Sequence, residues 1–95
     1  MFAVTVLFRV KPGHMDAFLP LILDNARASL RVEPQCLFFD VCPDPDAGEV
    51  FLYEVYDGRS GFDAHLASAH FQSFDGKVAD MILEKTVRVF NEVMR

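Results

Sequence analysis

Two of the three histidines in the chain, His65 and His70, stand five residues apart in the stretch "HLASAH". Imidazole changes charge near neutral pH and also ligates metals, so such a pair suits either proton transfer or a metal site. Spacing helps to separate the two. On one continuous helix five residues rotate by about 500°, which turns the two rings about 140° apart. Helical zinc pairs favour an i, i+4 spacing, and no third ligand stands nearby in the sequence. No metal is therefore expected. Ser68, between the two, can serve as a helix N-cap. A break there would end one segment near His65 and place His70 in the first turn of the next, with both rings toward one cleft. The plainer alternative is packing, with one hydrogen bond for each ring.

Other polar residues stand where apolar ones are expected. Residues 14–32 read as a helix, and Phe18, Ile22, Asn25, Ser29 and Val32 recur on one stripe of it. Asn25 and Ser29 are one turn apart on that stripe. A buried amide or hydroxyl left without a partner costs about 1–3 kcal/mol. Each must therefore find a local partner, such as a bond from Ser29 back to its own helix, or line a cavity. Asp40 and Glu54 raise the same question, since each sits mid-strand among large apolar residues. A buried carboxylate is rarely unpaired. An ion pair with Arg9 or Arg88 is one solution, and a role as a pocket acid or base is the other.

The elements that must carry these residues follow from periodicity. "FAVTVLFRV", residues 2–10, alternates as a strand and is apolar on both faces. Pro20 removes a hydrogen bond within the first helix, and "EPQ" stops that helix. "CLFFDVC", residues 36–42, and "EVFLYEVY", residues 49–56, are strands joined by "PDPDAG", a strong turn. A short helix fits Arg59 to about Ala67, and a second, begun at Ser68, carries Phe71, Phe74, Val78 and Met81. Gly76 weakens that second helix. "KTVRVFNEV", residues 85–93, alternates as the last strand. Strand, helix, strand, strand, helix, strand is the split βαββαβ pattern of an α+β, ferredoxin-like fold. It has an antiparallel four-stranded sheet with helices on one face. The bare face needs a cover, and a second copy of the sheet supplies one, giving a homodimer.

Composition bounds the rest. The 95 residues suit a single domain, residues 1–95, and 52% hydrophobic content argues against disorder. Ten Phe and two Tyr are more aromatic area than so small a domain hides alone. A net charge of -5 without a Lys/Arg cluster argues against nucleic acid and against anionic membrane. No apolar run is long enough to span a bilayer. The N-terminus lacks the features of a signal peptide, so the protein is expected to be cytoplasmic. Cys36 and Cys42 would lie about 20 Å apart on one strand. That is too far to bridge, and both are expected to be buried thiols.

Residues 25–74 resemble the antibiotic biosynthesis monooxygenase domain family. The likeness lies in Asn25 and Ser29 on the first helix, "EP" before the second strand and "FDV" within it. It continues in "YEVY" in the third strand and "FDAHLASAHF" after it. The resemblance implies a ferredoxin-like fold that dimerises into an α+β barrel. Members include cofactor-independent monooxygenases of phenols and quinols, haem-degrading enzymes and a branch that processes a phosphorylated signal. In the antibiotic-pathway members a Trp stands one turn after the Asn. Here that position is Ser29 and the chain has no Trp, which points away from polyketide and haem substrates. Gln35 replaces the usual Gly after "EP". The pocket histidines of the quinol-oxidising and signal-processing branches correspond to His65 and His70.

The expected activity is oxidation of a small quinol or phenol by O2, without a cofactor. His65 would take the phenolic proton and Asn25 would bond the substrate oxygen, with Ser29 and His70 orienting it. Glu54 would fix a histidine tautomer if it faces the pocket. Two alternatives stand beside this. One is an isomerase or lyase for a small phosphorylated metabolite, with Arg27, Arg31 and Arg59 as the available phosphate donors. The other is a non-catalytic dimeric binding module, with a cavity too small for a ring and Asn25 bonded only to backbone.

Overall fold

Alternation in "FAVTVLFRV" points Phe2, Val4, Val6, Phe8 and Val10 to one side of a strand, and all five are buried. The computed structural model describes residues 1–95. It places this strand, β1 (Phe2–Val10), at the interior of a four-stranded antiparallel sheet of order β2-β3-β1-β4. The other strands are β2 (Cys36–Asp44), β3 (Glu49–Tyr56) and β4 (Ile82–Phe90). Helices α1 (Met15–Val32), α2 (Arg59–Leu66) and α3 (Ala69–Val78) complete the βαββαβ order. A short 3-10 turn, Ala79–Met81, follows α3. One core joins the two layers. In it Phe8, Phe18 and Phe74 meet edge to face, with ring centroids 5.1 to 6.2 Å apart.

The stripe on α1 is buried as its spacing predicts at Phe18, Ile22, Asn25 and Ser29. Val32 does not belong to it and is 56% exposed. The stripe continues instead at Glu33, one turn beyond Ser29. The helix stops there because Pro34 follows, and the Glu33 N–H donates to Ser29 O at 3.0 Å. Between β2 and β3, Gly48 takes a φ of 68°, a left-handed conformation that favours glycine. Pro43 lies inside β2, one residue past the end the sequence suggests. It is tolerated because β2 is an edge strand.

The last strand begins three residues earlier than its alternation suggests. β4 pairs with β1 from Val10↔Ile82 to Ala3↔Phe90, and β1 is then exhausted. Asn91 to Val93 have no strand beside them. A second correction concerns β2. Its register with β3 shifts between Cys36 and Phe38, so one residue is inserted. The insertion turns Phe39 and Val41 toward the helices and puts Phe38, Asp40 and Cys42 on the open face. Asp40 and Cys42 are therefore exposed, Cys42 against the expectation of a buried thiol. Cys36 is buried, and burial pushes its thiol up to about 12. Both cysteines are free.

The open face carries Phe38, Phe51 and Phe90, all exposed, beside partly buried Leu7 and Tyr53. No helix of the structure is long and apolar enough to cross a membrane.

Candidate active site

The site is assembled at the junction of α2 and α3. Ser68 caps α3 as its sequence position suggests: its hydroxyl accepts from Phe71 N at 3.2 Å and donates to His65 O at 2.6 Å. The turn at Ala67 and Ser68 reorients the chain, so the divergence of the two rings on a continuous helix does not apply. His65 and His70 have ring centroids 5.9 Å apart. Gly61 lets α2 approach the sheet, because a Cβ there would stand 2.7 Å from Gln35 Cβ. His65 lies in an aromatic cage of Phe39, Tyr56, Phe62 and Phe71, at centroid distances of 5.1 to 6.4 Å.

Between the two rings stands Glu33, which the sequence reading did not select. Its Oε2 lies 2.9 Å from His65 Nδ1 and also bonds His70 Nε2. Ser29 Oγ donates to Asn25 O at 2.8 Å and lies 3.3 Å from His65 Nδ1 and 3.2 Å from His70 Nε2. Ser29 thus makes the expected bond back to its own helix and also reaches both histidines. A carboxylate oxygen only accepts, so each ring donates the N–H that faces Glu33. The lone pairs are left on His65 Nε2 and His70 Nδ1, neither of which has a protein partner. Burial holds His65 below its ordinary value, while its bond to Glu33 works in the opposite direction. Burial therefore favours the neutral ring.

A cavity of about 40 Å³ lies between this cluster and the sheet, lined by His65, Asn25, Glu54, Phe39, Phe71 and their neighbours. Lys85 and Val87 of β4 also line it, and Lys85 Nζ sits 5.6 and 5.7 Å from the rings of Phe8 and Phe71. Glu54 faces the cavity and is 3% exposed. It forms no ion pair: Arg9 pairs with Glu84 at 3.7 Å, and Arg88 lies over Phe90 on the open face. Nor does Glu54 hold a histidine tautomer, since that bond belongs to Glu33. Its Oε1 accepts from Tyr56 Oη at 2.7 Å. Burial raises its carboxyl to about 7, with the Tyr56 bond opposing. Burial and the adjacent Glu54 raise the Tyr56 phenol.

Asn25 is the anomaly of the site. It is 3% exposed, and neither its amide oxygen nor its amide nitrogen has a partner. Glu33 Oε1 is likewise buried and free. Orphaned groups of this kind cost about 1–3 kcal/mol each, and both adjoin the histidines. The donor atoms of Glu33, His65 and His70 lie within 4.8 Å of one another, so this cluster also has the composition of a metal-binding set. Spacing within the histidine stretch does not reveal the third member, because Glu33 caps the distant end of α1.

The comparisons with known proteins agree with this architecture. The family described as antibiotic biosynthesis monooxygenase matches residues 1–77. A Mycobacterium tuberculosis protein named as a candidate monooxygenase, Rv0793, is 30% identical over 80 residues, covering 84% of this chain and 78% of the relative. Its solved structure superposes with a TM-score of 0.89, over 99% of this chain and 96% of that one. A candidate antibiotic biosynthesis monooxygenase of Nitrosomonas europaea gives a TM-score of 0.91 at 28% identity, covering 99% and 100% of the two chains. With its fold, its helix-to-sheet cavity and this match, the chain belongs to the antibiotic biosynthesis monooxygenase family.

Proposed function

We propose that the protein is a cofactor-independent monooxygenase of a small quinol or phenol, with His65 as the base. The observation that carries this reading is the contact from Glu33 to His65 Nδ1, which leaves Nε2 as the basic atom of a ring that lines the cavity. His65 takes the phenolic proton, and Glu33 stabilises the imidazolium that forms. The electron-rich phenolate then reduces O2. One oxygen atom enters the ring and the other leaves as water, the substrate itself supplying all the electrons. The unpartnered amide of Asn25 receives the substrate oxygen, while Ser29 and His70 hold Glu33 and His65 in place. Glu54, neutral or ionised near pH 7, is the second proton-exchanging group of the cavity. The cavity is smaller than a ring, so the substrate enters by displacing Phe71 and Leu66, which flank the α2–α3 break. The protein acts as a homodimer, its two open sheet faces covering Phe38, Phe51 and Phe90.

The cavity volume favours a second reading, a non-catalytic binding module. That reading also requires Asn25 to be satisfied by backbone, and its amide is satisfied by nothing. Oxygen uptake with a panel of quinols separates the two. Uptake by the wild type that falls at least a hundredfold in His65→Ala supports the base. Equal rates in both remove His65 from the mechanism. Turnover of a phosphorylated substrate without O2 would replace the oxygenase with an isomerase.

A further inference from the structure

A groove of about 350 Å³ runs between α1 and α3, outside the cavity. Arg27 and Arg31 of α1 and Lys77 of α3 line it, together with His70 and the buried Asn25. The chain has nine Lys and Arg against fourteen Asp and Glu. Against that balance the groove gathers three cations and one carboxylate, Asp24. None of the three cations is in an ion pair; the basic side chains that are paired are Arg9, Lys85 and the two histidines. Arg27 and Arg31 stand one turn apart on the same helix, where like charges repel. The groove is thus a locally positive surface on an acidic protein.

Asn25 connects this groove to the chemistry. Its side chain, together with Phe74, borders both the groove and the inner cavity. Its two polar atoms are buried and unpartnered. His70 forms part of the groove wall, and its Nε2 is bonded to Glu33. An acidic group in the groove therefore lies within one side chain of the cavity.

We propose that the groove binds an acidic group, a carboxylate or phosphate, of the small molecule that the site takes. Arg27 and Arg31 supply paired N–H donors, Lys77 supplies a point charge, and Asn25 marks the passage to the reacting end. The inference rests on the reading of the cavity as a substrate site and narrows that substrate to an anionic one.

Titration of inorganic phosphate and of 4-hydroxybenzoate, followed by amide chemical shifts at low ionic strength, tests it. The wild type is compared with Arg27→Ala/Arg31→Ala and, as a control, with Arg59→Ala. All three arginines are exposed, so both variants should fold. The expected result is shifts around Asn25, His70 and Lys77, with affinity about tenfold weaker in the double variant and unchanged in Arg59→Ala. Equal affinity in wild type and double variant overturns the proposal, as does an absence of binding by either anion. So does binding to RNA or anionic vesicles without any response to the small anions. Because binding is read without turnover, equal oxygen uptake in wild type and His65→Ala would leave this result standing.

Discussion

Glu33 Oε2 and His65 Nδ1 lie 2.9 Å apart, joining the end of α1 to the end of α2 across thirty-two positions of sequence. The carboxylate settles which imidazole nitrogen carries the proton and thereby which one is basic. It also gives a protonated His65 a counter-charge in a buried setting.

Replacing Glu33 with Gln should therefore act through His65. Burial holds the His65 pKa below 6.5 and Glu33 opposes that effect, so removing the carboxylate lowers the pKa further. The acid limb of kcat/KM, where the base becomes protonated, should lie below pH 6.5 in the wild type and move to lower pH in Glu33→Gln. The maximal rate should fall at least tenfold, since the imidazolium loses its counter-charge. A limb that stays in place would uncouple the two residues.

Glu54→Gln should change stability in a pH-dependent direction. The carboxyl titrates at about 7 in the folded protein and near 4.5 when unfolded. A raised folded pKa means that its contribution is intact below about pH 4.5 and lost as pH rises through 7. Denaturant unfolding should find Glu54→Gln more stable than wild type at pH 8, by up to about 3 kcal/mol. At pH 4 that advantage should be absent.

Asn25→Leu should separate stability from activity. The substitution removes two buried polar atoms without partners. Unfolding midpoints should rise by an amount corresponding to about 1 kcal/mol or more, allowing for imperfect packing. Oxygen uptake should fall at least tenfold in the same protein. A fall in both would show that Asn25 is satisfied in solution.

Ser68→Ala should remove the cap of α3 at a cost of about 1 kcal/mol. It should also loosen the turn that brings His70 to Glu33, so kcat should fall more than KM changes. Gly at the same position, which caps almost as well, should restore most of the stability.

Much of this could be read from the chain because the signals are local. The cap at Ser68, the strong turn before Gly48 and the buried face of α1 each depend on a few adjacent residues, and each lies where the sequence placed it. The departures depend on distant partners. The limits of β4 are set by the length of β1, and Cys42 takes the open face because of one inserted residue in β2. Glu33 was hidden for a related reason. Before a proline it reads as a helix stop, and its four-residue step from Ser29 gains meaning only when α2 and α3 arrive. Asn25 was visible as a polar residue on an apolar stripe, but whether it had a partner required coordinates.

The shared carboxylate has one more consequence. His65 borders the inner cavity, His70 borders the outer groove, and both rings donate to the same oxygen of Glu33. Charge gained on His65 is thus balanced by a carboxylate that also holds a ring on the groove wall, through side chains that need not move. The inner cavity and the groove are therefore linked electrostatically through a single oxygen atom.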